Sequence, residues 1–141
     1  MSAPLVLIAD NDRAVSALLT EVLTRVGLAV QPVFDGETAR LKAREHGVAV
    51  LVCDLDMPRL SGLEVIESLA QLANPPLVVV VSGYLDGRIH RRLSAMPFVR
   101  GALSKPFDLF DFAERVRVLA NGRHAADAAA PSAPFAGGAE R

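Results

Sequence analysis

The sequence predicts an α/β fold built around one parallel sheet. Short apolar runs of strand length alternate along the chain with segments in which apolar residues recur every three or four positions. This alternation is typical of repeated strand–helix–strand units. A chain of 141 residues is also long enough to bury a core without disulfides or structural metal. We therefore expect a single layered domain.

Five apolar runs are the candidate strands. They are Leu5–Ala9, Leu28–Val33, Val48–Cys53, Leu77–Val81 and Phe98–Leu103. The fourth run contains four consecutive valines with no polar alternation, which predicts a strand covered by helices on both faces. The sheet should therefore lie in the middle of the molecule.

Each candidate strand is followed by a helical pattern. The first helix carries apolar residues at helical spacing from Ala14 to Val26 and ends at Gly27. The second begins after the potential cap Asp35 and runs to about His46. The third opens at Ser61 or Gly62, the fourth covers about Asp86–Ala95, and the fifth begins near Asp108 with Phe112, Val116 and Leu119 on its apolar face.

Five such units with right-handed crossovers form a three-layer (βα)5 sandwich. The natural strand order is 2-1-3-4-5, as in flavodoxin-like folds, whose ligands bind beyond the carboxyl ends of the strands. The functional site should be sought at that edge of the sheet.

The composition changes after about Asn121, where alanine, proline and glycine dominate. We expect residues 1–121 to form the domain and residues 122–141 to form a disordered tail, because the tail has too few large apolar residues to offset its ordering entropy. Alanine favours helix, but Pro131 and Pro134 confine any helix to the first few residues of the tail.

Charge and cysteine usage narrow the function classes. The chain has 15 Lys and Arg against 16 Asp and Glu, so no basic field predicts binding to DNA. The single cysteine, Cys53, lies inside an apolar run and is expected to be a buried thiol in a reducing compartment. No apolar stretch approaches the roughly 20 residues of a membrane span, and no signal sequence is evident. These features predict a cytoplasmic protein without a membrane partner.

Polar residues stand where the strands end. They are Asp10, Asn11 and Asp12 after the first strand, Asp54 after the third, Ser82 after the fourth and Lys105 after the fifth. Carboxylates at neighbouring strand ends suit Mg²⁺, which favours oxygen ligands and phosphate co-ligands. Phosphoryl transfer needs an in-line nucleophile and neutralisation of the equatorial oxygens, and Asp54, a divalent ion, Ser82 and Lys105 supply these parts.

Four segments in this order, LIADND, DLDMPRLSG, VVVVSG and SKPF, resemble the receiver domain of bacterial two-component response regulators over about residues 4–120. The resemblance implies that Asp54 forms an acyl phosphate, that Ser82 is the switch hydroxyl and that Lys105 pairs with the phosphoryl group. It implies that Asp10, Asp54 and the backbone carbonyl of Asp56 hold Mg²⁺. It also implies a cis peptide bond before Pro106.

Two positions depart from the family pattern. Asn11 stands where a second acidic residue is usual, and its amide oxygen can bind a metal but brings no charge. Asp12 can compensate, or it can cap the first helix. Ala102, three residues before Lys105, replaces the tyrosine or phenylalanine that swings inward in many receivers.

We interpret the chain as a stand-alone receiver that a sensor histidine kinase or phosphotransfer protein phosphorylates. It would catalyse only its own phosphorylation and dephosphorylation. About 20 residues follow the predicted domain, too few for an output domain, so a downstream protein effector should receive the signal from a monomer or weak dimer.

Two alternatives stay open. One is a degenerate receiver that binds its partner irrespective of phosphorylation. The other is a phosphatase in which Asp10 is the nucleophile and Asp10–Asp12 form a DxD motif.

Residues outside the strand ends carry weaker signals. Tyr84 and Asp56 should flank the path of water to the phosphoryl group and influence its lifetime. Arg88, His90, Arg91 and Arg92 form either a solvated face or a docking surface for an acidic partner. His46 and His124 are isolated from other ligands in the sequence, and we assign them no catalytic role.

Overall fold

A computed structural model describes residues 3–129. Five strands alternate with five helices over this range. The strands are β1 (Leu5–Ala9), β2 (Ala29–Val33), β3 (Val48–Asp54), β4 (Leu77–Ser82) and β5 (Val99–Ser104). The helices are α1 (Arg13–Arg25), α2 (Gly36–Ala43), α3 (Gly62–Leu69), α4 (Gly87–Ser94) and α5 (Leu109–Ala129). The predicted alternation of strands and helices is confirmed.

The five strands form one parallel sheet in the order β2-β1-β3-β4-β5, as predicted. Ala9 at the end of β1 is aligned with Cys53 of β3, and Asp54 is aligned with Val81 of β4. Ser82 of β4 is in turn aligned with Ser104 of β5. The carboxyl ends of β1, β3, β4 and β5 therefore lie side by side.

Two apolar layers enclose the sheet, because successive strand side chains point to opposite faces. Leu7 and Leu51 pack on the face that α2, α3 and α4 cover, together with Ile66 of α3. Ile8 and Val52 pack on the opposite face, which α1 and α5 cover. The three-layer sandwich follows directly from this alternation.

Polar caps define where four of the helices begin. Asp12, Asp35 and Asp86 accept backbone N–H groups at the starts of α1, α2 and α4. Ser61 and Glu64 form a reciprocal capping box at the start of α3. Helix α2 ends at Ala43 rather than near His46, and Gly47 leads into β3 with a φ of +99°.

Helix α5 extends beyond the predicted end of the domain. It continues to Ala129, so residues 122–129 are helical rather than disordered, in the part of the tail where the sequence allows a helix. The Arg123 guanidinium donates to Asn74 Oδ1 at 2.7 Å and to the Pro75 carbonyl at 2.6 Å, which ties the added turns to the loop before β4. The rest of the predicted tail lies outside the described residues. Between residues 3 and 129, no helix combines the length and apolarity that a membrane crossing requires.

Candidate phosphoacceptor site

Four polar side chains meet at the carboxyl edge of the sheet. Asp10 directly follows β1, Asp54 and Ser82 end β3 and β4, and Lys105 directly follows β5. The Lys105 ammonium lies 3.2 Å from Asp10 Oδ2 and 3.7 Å from Asp54 Oδ2. The topology thus brings together residues that are up to 95 positions apart in the chain.

Asp54 is a buried carboxylate, with 5 % of its surface exposed. Its Oδ1 accepts a hydrogen bond from the Asp56 N–H at 3.2 Å. Burial raises the pKa of Asp54, and repulsion from Asp10 acts in the same direction. The Asp56 N–H and the Lys105 ammonium oppose this shift without cancelling it. A further cation beside Asp54 would therefore stabilise its charged form.

Asp10 is completely buried, and both of its carboxylate oxygens have partners. Oδ1 accepts the Asp12 N–H at 2.9 Å, and Oδ2 faces Lys105. These contacts hold the carboxylate towards Asp54 rather than towards solvent. Asp10 is consequently placed to bind a cation but is poorly accessible to an incoming substrate.

Asp12 is committed to the first helix. Its Oδ1 accepts the N–H groups of Ala14 and Val15 at 3.0 and 3.2 Å. Of the two roles that the sequence allows for Asp12, the structure shows the cap. Asn11 is exposed between Asp10 and Asp12. Because it is an asparagine, residue 11 brings no charge to the cluster.

The donor set fits a magnesium ion. Two carboxylates, Asp10 and Asp54, face a single ammonium, which leaves excess negative charge in a buried place. Across residues 3–129, no three side chains from His, Cys, Asp and Glu are grouped for metal binding. Mg²⁺ commonly binds through one or two carboxylates and keeps several waters, so the carboxylates of Asp10 and Asp54 meet its needs.

Ser82 is held by the loop that follows β4. Its hydroxyl donates to the Tyr84 carbonyl at 3.0 Å and accepts the Tyr84 N–H at 3.1 Å. The residue is 4 % exposed, whereas Tyr84 is 70 % exposed. Tyr84 and the exposed Asp56 thus lie at the solvent side of the cluster. The Ser82 hydroxyl is therefore bonded to the Tyr84 backbone and not to Asp54.

Two expectations concerning neighbouring residues are confirmed. Cys53 is a buried free thiol, and burial together with the Asp54 and Asp10 charges raises its pKa, which makes it unreactive. The peptide bond between Lys105 and Pro106 is cis. Ala102 packs at the edge of the core, where its methyl group offers no swinging ring.

The structure changes the interpretation of the basic patch on α4. Arg88, His90 and Arg91 are exposed. Arg92 is exposed as well but forms a bidentate pair with Glu67 of α3, with Nη2 2.7 Å from Oε1 and Nε 3.0 Å from Oε2. The free basic surface is therefore smaller than predicted. Because the partners are 25 positions apart, no local pattern signals this contact.

Two more contacts have no local sequence signal. The Arg13 guanidinium stacks on the Phe34 ring with 3.9 Å from Cζ to the ring centroid. Gly36 lies against the carbonyl of Leu60 so closely that a side chain would not fit. By contrast, His46 and His124 line a cleft of about 880 Å³ formed partly by Leu5 and Val48 at the starts of β1 and β3. They do not join the cluster.

Known proteins share this sequence pattern. The family model described as the response regulator receiver domain matches residues 6–117. The regulatory protein VirG of Agrobacterium fabrum is 33 % identical over 116 residues, which cover 80 % of this chain and 44 % of VirG. The transcriptional regulatory protein CpxR of Escherichia coli is 28 % identical over 121 residues, covering 84 % of this chain and 50 % of CpxR. The chain spans about half the length of these relatives.

Solved structures share the fold. The receiver domain of the Francisella response regulator 1452 is 26 % identical, with a TM-score of 0.75 over 84 % of this chain and 98 % of that one. A CheY-like receiver domain protein from Methanospirillum hungatei has a TM-score of 0.80 at 18 % identity over 88 % of this chain and 98 % of that one, which shows the fold alone. With the family match and the site geometry together, this chain belongs to the response regulator receiver domain family.

Proposed function

We propose that this receiver accepts a phosphoryl group on Asp54 from a sensor histidine kinase or a phosphotransfer protein, with the help of Mg²⁺. The observation that supports the proposal best is the buried Asp54 carboxylate beside Lys105 and Asp10. A nucleophile, a cation that neutralises phosphate oxygens and a second carboxylate for a metal ion are the parts that phosphoryl transfer requires.

In the proposed reaction, a carboxylate oxygen of Asp54 attacks the phosphorus of the phosphodonor. A bond from that oxygen to phosphorus forms as the bond from phosphorus to the donor imidazole nitrogen breaks, and the imidazole keeps the electron pair. Asp10, Asp54, the Asp56 carbonyl and the Asn11 amide would hold the magnesium ion. When bound, the ion supplies charge neutralisation at the transferring group. Lys105 contributes a second positive charge to the same oxygens.

The Ser82 hydroxyl would report the phosphorylated state. In the structure it bonds to the Tyr84 backbone, so contact with a phosphoryl oxygen requires it to exchange these partners. The loop of residues 83–86 would then move with it, and α4 begins directly after this loop. Tyr84 and Asp56 are the proposed modulators of phosphate lifetime.

The proposed output is a protein-docking surface formed by α4, β5 and α5. A groove of about 520 Å³ lies between β5 and α5, lined partly by Arg100, Asp111 and Arg115. Phe110 and Val118 of α5 are 83 % and 55 % exposed. An acidic or amphipathic protein surface would complement the exposed Arg88 and Arg91 of α4. We propose such a protein effector rather than DNA as the target, and a monomer or weak dimer as the acting form.

The test is intact-mass measurement after incubation with acetyl phosphate and Mg²⁺. The parent protein should gain one phosphoryl mass, and Asp54→Ala should gain none. Uptake by Asp54→Ala at the parental level, together with loss of uptake in Asp10→Ala, would show that the nucleophile is Asp10. Burial of Asp10 with both oxygens bonded already disfavours this phosphatase-like alternative.

A second candidate function is binding that does not depend on phosphorylation. It is favoured by the exposed, uncharged Asn11 and by the use of Asp12 as a helix cap, which leave the proposed metal site with fewer charged ligands. This candidate predicts equal affinity of the effector for the parent protein and for Asp54→Ala in the presence of a phosphodonor. The first proposal predicts a difference between them.

A further inference from the structure

Helix α2 approaches the loop after β3 without any side chain between them. Gly36 is the first residue of α2, and its N–H donates to the Pro58 carbonyl at 3.2 Å. A Cβ atom at Gly36 would lie 1.8 Å from the Leu60 carbonyl oxygen and 2.6 Å from the carbonyl carbon. Backbone atoms cannot rotate away as a flexible side chain can, so any substitution must displace either α2 or the loop.

The loop in question consists of residues 55–61 and links Asp54 to α3. Its far end is held in a similar way, since Gly62 donates to the Leu55 carbonyl at 3.0 Å and a Cβ there would lie 2.1 Å from the Asp54 carbonyl oxygen. Within the loop, the Asp56 N–H bonds to Asp54 Oδ1. Two glycines therefore fix the ends of the segment that carries Asp56.

We propose that Gly36 is a positioning residue for the phosphorylation site. By allowing α2 to press directly on Leu60, it sets the place of the loop and, through it, of the Asp56 carbonyl beside Asp54. This inference rests on the proposed function, in which that carbonyl faces a magnesium ion. The φ angle of Gly36 lies outside the left-handed region. The glycine is therefore required by the available space and not by backbone conformation.

The chain contains a matched control for this position. Gly87 is the first residue of α4 and follows a capping aspartate, Asp86, as Gly36 follows Asp35. A Cβ at Gly87 would meet only Arg91 Nη1 at 3.5 Å, an ordinary contact with a flexible side chain. Gly36→Ala and Gly87→Ala thus change helix propensity alike. Only Gly36→Ala introduces a steric clash with a neighbouring backbone.

The experiment measures Mg²⁺ affinity and loop dynamics separately in the parent and both variants. Backbone amide chemical shifts of Asp54 and Asp56 would follow a titration with Mg²⁺ alone, well below the unfolding temperature. We expect Gly36→Ala to bind Mg²⁺ about tenfold more weakly, the size of effect that loss of a ligand-orienting contact typically has. Hydrogen exchange of residues 55–61 without metal should also accelerate. Gly87→Ala should match the parent in both measurements.

These measurements separate positioning from a purely structural role. A variant that is only less stable still shows the parental affinity in its folded fraction. If Gly36→Ala equals Gly87→Ala in affinity and in loop exchange, then α2 gives way instead of the loop and the inference is overturned. Failure of the parent to bind Mg²⁺ would overturn the proposed function, while loop exchange without metal would still decide the role of Gly36.

A second pair of variants serves if Gly36→Ala does not fold. Asp35 accepts the Thr38 N–H at 2.8 Å and the Thr38 hydroxyl at 3.1 Å, which fixes the first turn of α2. Asp35→Ala should loosen this turn and weaken Mg²⁺ binding in the same direction, by less than Gly36→Ala would. Asp86→Ala removes the equivalent cap of α4 and should leave Mg²⁺ affinity unchanged. Equal affinities in these two variants would contradict the inference.

Discussion

At the scale of single residues, the charge that Asp54 needs as a nucleophile lowers the stability of the fold, because the side chain is buried. Burial raises its pKa above the ordinary value of 3.8, since the folded protein disfavours the charge that a nucleophile needs. The folded state therefore binds the Asp54 proton more tightly than the unfolded state. As pH rises above about 3.8, ionisation of Asp54 reduces the stability of the fold in the absence of a divalent ion.

Asp54→Asn should consequently unfold at a higher temperature than the parent at pH 7 without metal. The gain should shrink as pH falls through 3.8 and vanish below it, where the Asp54 carboxyl is protonated in the unfolded as well as the folded state. Thermal unfolding monitored by circular dichroism across this pH range measures the effect. Asp35 is a useful contrast, because the Thr38 N–H lowers its pKa and stabilises the fold above pH 3.8. A variant Asp54→Asn that is less stable at neutral pH would contradict the argument.

The missing charge at Asn11 should limit the affinity of the site for Mg²⁺. A carboxylate at residue 11 adds a charged ligand beside Asp10 and Asp54, so Asn11→Asp should bind Mg²⁺ several-fold more tightly. It should also lower the stability of the metal-free protein, because like charges are crowded. Calorimetric titration and thermal unfolding measure the two effects. Since Asp12 caps α1, unchanged affinity would mean that the residue 11 side chain points away from the ion.

At the scale of elements, helix α4 is held by few contacts. Leu93 is its one buried residue among the eight of the helix. The bidentate pair of Arg92 and Glu67 adds a tie to α3. Because the two side chains are 50 % and 36 % exposed, the pair should contribute at most about 1 kcal/mol to stability. An ion pair of this strength can still shift the preferred position of α4, because few other contacts hold the helix.

Glu67→Gln should therefore accelerate hydrogen exchange in α4 and lower the free energy of unfolding by about 0.5 kcal/mol. Glu21→Gln is the matched control, because Glu21 pairs with Arg25 within one helix and cannot restrain a neighbour. Exchange in α4 that is identical in the two variants would show that the pair does not hold the helix.

The helices and strands follow from local sequence patterns, whereas the contacts between distant elements do not. Strand runs and capping residues are local patterns, so the elements and their order follow from short stretches such as Val78–Val81 and Ser61–Glu64. The end of α5 depends on Arg123 reaching Asn74, 49 positions away, and this contact has no local pattern. The pair of Arg92 and Glu67, 25 positions apart, has no local pattern either. Contacts between distant elements require the folded backbone.

At the scale of the whole molecule, the candidate site can be predicted because the strand order can be predicted. In a parallel sheet of order 2-1-3-4-5 the carboxyl ends share one edge, so residues after separate strands must meet there. This reasoning places Asp10, Asp54, Ser82 and Lys105 together, and they do lie together. Strand order does not predict the tight approach of Gly36 to Leu60, because that approach depends on how helix α2 packs on the loop after β3.

The topology also restricts how a signal can leave the site. Ser82 ends β4 and Lys105 follows β5, so both lie at the base of the surface formed by α4, β5 and α5. With Ala102 in place of an aromatic residue, a change at Asp54 has to travel through the backbone of residues 83–86 and the packing of α4. We expect a smaller difference between the two states than in receivers with a swinging ring.

Hydrogen exchange with and without beryllofluoride, a phosphoryl mimic, tests this route. In the parent, the mimic should alter protection in residues 83–86, in α4 and in the turn from β5 to α5. Ser82→Ala should bind the mimic with no change in α4, because the hydroxyl that exchanges the Tyr84 backbone for a phosphoryl oxygen is absent. Changes confined to α1 and α2, or α4 changes of equal size in Ser82→Ala, would mean that the signal leaves the site by another path.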